Sequence, residues 1–354
     1  MVFKTFKVYS YICSMIIRSK APLRIGLAGG GTDVSPYSDI YGGAILNATI
    51  SLYAYATIKP AENGRIVLNA IDRNERIELR SEEELGMNGN LDLIKGVYNR
   101  IVKDFTHQPL SFELNTYVDA PPGSGLGSSS TLVVAIVGAF VEWLKLPLGE
   151  YDIAHLAYSI EREDLNMAGG KQDQYAATFG GVNYMEFYEN DKVIVNPLRI
   201  KSKFLHELEH NLVLFYTQTS RLSSDIIRQQ TDNVHAKKTS SIDAMHQLKE
   251  QSILMKEAIL KGEIDSIGKI LHNGWMHKKQ MAEGISNVSI DAIYESALKA
   301  GATGGKISGA GGGGFMIFYA PYVHKYQLIK KLTEFGGTAM NYALTTEGLT
   351  TWTV

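Results

Sequence analysis

Residues 121–131, PPGSGLGSSST, set three glycines and a cluster of hydroxyls directly ahead of the apolar run LVVAIVGAFVEWL, with no charge among them. A helix start leaves backbone N–H groups unpaired and carries the positive end of the helix dipole, so such a stretch can cradle an anion. Glycines there let backbone approach a ligand with no Cβ in the way. The plainer reading is a tight turn closed by a serine cap. Two further stretches weigh against it. APLRIGLAGGGTD (21–33) flanks its glycines with an arginine and an aspartate, and KISGAGGGGF (306–315) feeds a strand. One glycine loop beside a strand marks a bulge or close packing as readily as a site. Three in one chain point to a shared ligand, and the residue types fit a phosphate.

Familiar nucleotide loops do not account for them. For the pattern GxxxxGK[ST], Gly305-Lys306 has Ala300 and Ile307 at the other fixed positions, and Gly170-Lys171 has Leu165 and Gln172. The pattern GxGxxG fails at Gly123, because its sixth position is Ser128. Neither a P-loop ATPase nor a dinucleotide binder is supported.

The elements that must position these loops alternate in type. Residues 44–60 and 110–118 read as strands, with a hairpin formed by RIVLNA and ERIELR around IDRN. Residues 90–105, 128–145 and 152–167 carry apolar residues at helical spacing. The segment AGGKQDQYAATFGGVNYMEFY runs between glycines into a strand. Near residue 205 the character changes: a strand at 211–219 leads into charged helices up to about 282, then a helix at 290–301, the third glycine loop with its strand, and a helix near 323–335. These intermingled elements predict two α+β units meeting at a cleft, residues 15–204 and 205–354, after a tail of residues 1–14.

Composition narrows the function. A formal net charge of −2 gives no global basic field for nucleic acid. The single cysteine, Cys13, rules out an intramolecular disulfide, and the nine histidines form no HExxH pattern. No stretch reaches the ~18 uncharged apolar residues of a membrane span. Residues 1–14 lack the cleavage site of a signal peptide, and the expectation is a cytoplasmic protein with a small-molecule substrate.

The three loops resemble the three signature motifs of the GHMP kinases. PPGSGLGSSST is similar to that family's PxxxGLGSSAA phosphate loop, with Ser130 at the first alanine; LRIGLAGGGTD resembles its N-terminal substrate motif and KISGAGGGG its C-terminal glycine motif. The likeness runs from about Pro22 to the final strands. It implies a first domain like ribosomal protein S5 domain 2, with an unusual left-handed β-α-β unit, a ferredoxin-like second domain, and ATP with magnesium in the cleft between them. A homodimer is compatible with it.

The resemblance also implies roles. Pro122, Gly123, Ser124, Gly125, Leu126, Gly127, Ser128, Ser129 and Ser130 would hold the ATP phosphates. Asp173, in GGKQDQ, matches the aspartate base, and its neighbours suggest a tight, partly buried position. Arg24 would stabilise charge that develops in transfer. Ser129 is the metal-binding hydroxyl, and Glu161, twelve residues before Asp173, the metal-binding carboxylate. Helix phase alone leaves Glu163 as its competitor. Asp33 matches an aspartate that bonds sugar hydroxyls, while Gly30 and Gly31 stand where galactokinase has Glu and His, which argues against galactose. Thr32, Gly311 and Gly312 join the substrate side.

The combination AGGGTD with GGxQDQ resembles the branch that phosphorylates sugars at the anomeric carbon, the fucokinases and the D-glycero-D-manno-heptose 7-phosphate kinases. The short chain and Lys171 fit the heptose enzymes better. This implies 1,7-bisphosphate formation on the way to nucleotide-activated heptose, with an unphosphorylated sugar or a non-catalytic sensor as alternatives. Lys171, two residues before Asp173, would point into the same pocket if that loop is extended. Lys171 and Arg221 are thus the cations expected for the sugar's own phosphate. Arg221 sits in TQTSRLSS, which also reads as a capped helix start. His277, Lys278 and Lys279 read as a solvated helix face.

Overall fold

The computed structural model describes residues 15–219 and 223–354, so the expected tail and Arg221 lie outside the described residues. The chain begins with β1 (Ile17–Ala28), a short helix α1 (Tyr37–Tyr41) and the long β2 (Gly43–Pro60). The predicted hairpin is β3 (Arg65–Ala70) with β4 (Glu75–Arg80), whose residues alternate in exposure as a one-sided sheet requires. Then come α2 (Asp92–Ile101), β5 (Phe112–Val118), α3 (Ser128–Leu144), α4 (Glu150–Ser159), α5 (Gln172–Phe179), β6 (Val182–Phe187) and β7 (Val193–Pro197).

These strands form one sheet in the order β1-β2-β5-β3-β4, with β6 added to β2 and β7 to β6. Its β3–β5 pair is parallel, and its other pairs are antiparallel. Helix α3 is apolar almost all round because it is buried centrally, against β1 and β2 on one side and α4 and α5 on others.

The second unit contains α6 (Ser202–Asn211), β8 (Leu212–Tyr216), α7 (Ser223–His235), α8 (Thr239–Lys261), α9 (Ile267–Lys278), α10 (Val288–Lys299), β9 (Gly304–Ile307), β10 (Phe315–Tyr319), α11 (His324–Thr333) and β11 (Thr338–Met340). Its antiparallel sheet runs β11-β8-β10-β9. Strands β8, β9 and β10 are buried almost throughout, and Met316, Phe318 and Phe215 pack with Trp275 and Tyr294 in a second core.

The two-unit expectation needs one amendment. The final strand, β12 (Thr350–Thr353), does not stay with the second unit but pairs antiparallel with β1. No helix among the described residues is long and apolar enough to cross a membrane.

Candidate active site

The three glycine loops are knitted together by their own backbone. Arg24 N–H donates to the Leu126 carbonyl at 3.2 Å, and Phe315 N–H to the Ser124 carbonyl at 2.9 Å. The Gly125 carbonyl accepts from Arg24 Nη1 at 2.7 Å and from Ser308 Oγ at 2.9 Å, so one oxygen ties all three. Gly125 has φ +86° and lies so close to Ser308 that a Cβ would meet the Ser308 carbonyl oxygen. The loops line a cleft of about 180 Å³.

Helix α3 opens into that cleft. Its cap is not a serine, as expected, but Gly127 at φ +77°, and no side chain bonds the helix start. The first helical bond is Thr131 N–H to Gly127 O at 2.9 Å, which leaves the N–H groups of the preceding turn without helical acceptors. Ser128, Ser129 and Ser130 face the cleft, as do Gly123, Gly125 and Gly127. That geometry suits an anion. Pro122, Ser124 and Leu126 do not line the cleft. Ser124 and Leu126 are fully buried and contribute carbonyls to the knit.

Asp173 stands beside this helix start. Arg24 Nε and Nη2 both lie 2.6 Å from Asp173 Oδ1, and the arginine side chain is only 4% exposed. Oδ2 faces the loop, 3.2 Å from where a Cβ on Gly127 would stand. One oxygen is thus held by a cation while the other is free to take a proton near a bound anion. Asp33 completes this wall: it is buried, accepts from Gln172 N–H at 3.1 Å, and fills the space a side chain on Gly170 would need. Burial first, then the nearby Asp173 charge, pushes the Asp33 carboxyl up from its ordinary value.

Glu161 and Glu163 lie on a π turn that sends them to different sides. Leu165 N–H reaches back five residues to Ile160 O at 3.1 Å, which shifts the phase after α4. Glu161 lines the cleft and is 1% exposed. Glu163 instead points outward, 3.6 Å from Arg100. Glu161 accepts from Ser130 Oγ at 3.0 Å and from Gln174 Nε2, and burial raises its pKa. Its nearest cation, Arg162, is 3.9 Å away. Gln174 Oε1, in the same cluster, is buried with no partner. A buried carboxylate only loosely paired with Arg162, with an orphaned oxygen nearby, fits a hard divalent cation such as magnesium, with Ser129 supplying a hydroxyl. No cluster of three or more His, Cys, Asp or Glu residues that could hold a metal occurs among the described residues.

Three substrate-side expectations are corrected. Lys171 does not enter the cleft: its side chain is 2% exposed and paired with Asp191 at 2.8 Å and Asp39 at 3.5 Å. The segment after it is not extended but helical, so residues 171 and 173 point in divergent directions. Thr32 is fully buried, with its hydroxyl spent on the carbonyls of Gly29 and Ala44 at 2.9 and 3.0 Å. Gly312 turns its N–H to Ile285 O at 2.9 Å and does not line the cleft, whereas Gly31 and Gly311 do. Gly30 is buried behind it.

Lys278 was missed. It was expected on a solvated face, yet it is 3% exposed and lines the cleft. The signal was Trp275, three residues earlier: a helix face that buries a tryptophan also buries its i+3 neighbour. Lys306, on β9, is 5% exposed and also went unremarked. Gln230 joins the wall and donates to the Gly31 carbonyl at 2.7 Å.

The chain matches the family model described as GHMP kinases N terminal domain over residues 92–181, and that described as GHMP kinases C terminal over residues 255–338. It is 51% identical over 338 residues to the D-glycero-alpha-D-manno-heptose 7-phosphate kinase of Campylobacter jejuni, covering 96% of this chain and 99% of that one. A crystal structure named as a D-glycero-D-manno-heptose 1-phosphate kinase from Bacteriodes thetaiotaomicron superposes with a TM-score of 0.81 at 48% identity, over 95% of this chain and 98% of that one. Lactococcus lactis galactokinase complexed with galactose shares the fold, with a TM-score of 0.77 at 17% identity, over 99% and 100% of the two chains. The names of the two similar heptose kinases put the substrate's existing phosphate on different carbons.

Proposed function

This chain belongs to the GHMP kinase superfamily and is a sugar kinase of that family, and on this premise we propose that it phosphorylates the anomeric hydroxyl of D-glycero-D-manno-heptose 7-phosphate. The observation that carries the reading is the Asp173–Arg24 pair set against the uncapped start of α3, in a chain 51% identical to a heptose 7-phosphate kinase. ATP would lie with its terminal phosphates on the N–H groups of residues 123–130. The sugar's C1 oxygen attacks the γ-phosphorus, the bond to the bridging oxygen of ADP breaks, and the hydroxyl proton passes to Asp173 Oδ2. Arg24 keeps Oδ1 in place, so the base does not rotate away. Glu161 and the Ser129 hydroxyl would hold magnesium, which when bound neutralises charge on the phosphates. Asp33 and the Gln172 side chain, 3.5 Å apart, are the polar groups offered to sugar hydroxyls.

The test is an ADP-release assay over heptose 7-phosphate, heptose 1-phosphate, unphosphorylated heptose, fucose, galactose and mevalonate, with the product's phosphate positions read by phosphorus NMR. Heptose 7-phosphate should give the highest kcat/KM and a 1,7-bisphosphate; preference for any other sugar overturns the substrate assignment. Asp173→Asn should lower kcat by a factor on the order of a hundred or more while ATP affinity changes little, because the amide fills the same space without accepting the proton. An equal loss of nucleotide affinity would make Asp173 structural.

A further inference from the structure

Two ammonium groups are buried beside the cleft, and neither has a carboxylate ion-pair partner among the described residues. Lys278, at the end of α9, donates to the Gly309 carbonyl at 2.6 Å, and Lys306, on β9, to the Gly26 carbonyl at 2.8 Å. A Cβ on Gly30 would stand 3.8 Å from both nitrogens, so the two charges converge on one side of the first glycine loop. An ammonium has three donors, and each of these has one acceptor among the described residues. Burial pushes both below the ordinary lysine value, Lys278 to about 8, so the protonated forms are disfavoured there until an anion offsets them.

Neighbouring charges relieve this only in part: Asp33 favours the Lys278 charge, while Arg24 opposes the charge on both lysines. Arg24 is itself a cation committed to Asp173, and the Asp33 carboxylate is held by Gln172. Ordinary packing gives no reason for two converging buried cations, since a methionine or leucine would fill the volume at lower cost. An anion arriving with a ligand would take up the spare donors and offset the charge. The nucleotide's phosphates have their own cradle at the start of α3. The lysine pair instead faces the Gly30–Gly31 side, the side of Asp33 and Gln230.

We propose that Lys278, which lines the cleft, binds the phosphate that the sugar substrate already carries, with Lys306 behind it adding to the local positive charge. The inference rests on the reading of the protein as a sugar-phosphate kinase. It replaces Lys171, whose ammonium is spent on Asp39 and Asp191.

The experiment compares the wild type with Lys278→Met, Lys278→Arg and Lys306→Met in three measurements: kinetics on heptose 7-phosphate and on unphosphorylated heptose, ATP affinity, and binding of inorganic phosphate by calorimetry. Lys278→Met should raise KM for heptose 7-phosphate about tenfold or more, consistent with losing a charge-assisted bond. KM for unphosphorylated heptose and the Kd for ATP should stay within about twofold, and Lys278→Arg should restore part of the loss. Lys306→Met should act in the same direction, with ATP affinity reporting that the fold is intact. Equal losses on both sugars, or weakened ATP binding, would overturn the assignment. If the wild type binds phosphate and Lys278→Met does not, yet no sugar phosphate is preferred, the functional reading fails while the anion site stands. Unchanged phosphate binding in Lys278→Met sinks the site itself.

Discussion

Glu161 shows what a single buried charge costs and what it is kept for. Its carboxyl is 1% exposed, and burial holds its pKa above the usual carboxylate value despite bonds from Ser130 and Gln174. A carboxyl whose folded pKa is raised loses stability as pH rises through that pKa, so ionising Glu161 in the metal-free fold is a cost. Glu161→Gln removes that charge while keeping an oxygen that Ser130 can bond. In metal-free buffer the variant should therefore melt higher than the wild type, by about 2 °C for each kcal/mol relieved in a chain of this size. Adding magnesium and ATP should then raise the wild-type Tm more than the variant's, because only the wild type binds the metal through its carboxylate. A thermal melt with and without magnesium checks both halves. If Glu161→Gln melts lower without metal, the carboxylate is an internal brace and not a metal ligand. The same logic made Lys278 hard to read from sequence: between His277 and Lys279 it looks like one more solvated cation. Trp275 was the available clue to its burial.

At the scale of elements, phase decides which side chains arrive in the cleft. The sheet strands were legible because β3 and β4 alternate strictly, and α3 because a long apolar run leaves no other choice. The stretch that carries Asp173 was not. Helix α5 has eight residues, begins at Gln172 directly after Lys171 and ends at Gly180, too short for periodicity to declare itself. Reading that loop as extended aimed Lys171 at the substrate, and the helix aims it at Asp39 and Asp191 instead. The π turn after α4 hid the Glu161 phase in the same way. Lys171 is thus a clamp between α1, the loop after β6 and the start of α5, with its ammonium 5.7 Å over the centre of the Tyr158 ring. Lys171→Ala should lower the Tm by a few degrees, since it removes a buried ammonium and its stem, although Asp39 and Asp191 are 35% and 39% exposed and therefore partly screened. Its effect on KM should be the same for phosphorylated and unphosphorylated heptose. A loss confined to the phosphorylated sugar would return Lys171 to the substrate site.

Across the whole molecule, the chain's last segment binds the two units into one machine. The sequence reading divides the chain near residue 205; the second sheet takes its strands from β8 to β11, whereas β12 returns to the first sheet. A terminal strand has no turn chemistry or spacing that names its partner, so its return to β1 could not be read from residue types. After β11 the chain crosses back. Ser51 N–H donates to Ala343 O at 2.8 Å, Thr345 N–H to Thr49 O at 3.0 Å, and Leu349 N–H to Thr178 O at 3.0 Å. Leu349 also fills a notch on α3, where a Cβ on Gly138 would meet its Cδ1 at 2.6 Å. This strap therefore presses on α3, the helix proposed to offer the phosphate cradle, and on α5, which carries the proposed base Asp173. It also covers the β1 edge that would otherwise expose unpaired backbone. Removing residues 343–354 should loosen the first unit selectively. Hydrogen exchange should speed up roughly tenfold or more in β1 and α3, while β8 and β10 keep their protection. ATP affinity should fall with it, because the N–H groups of residues 123–130 lose their rigid support. Equal loss of protection in β8 and β10, or loss there first, would show that the strap stabilises the second unit, and that the site does not depend on the chain's return.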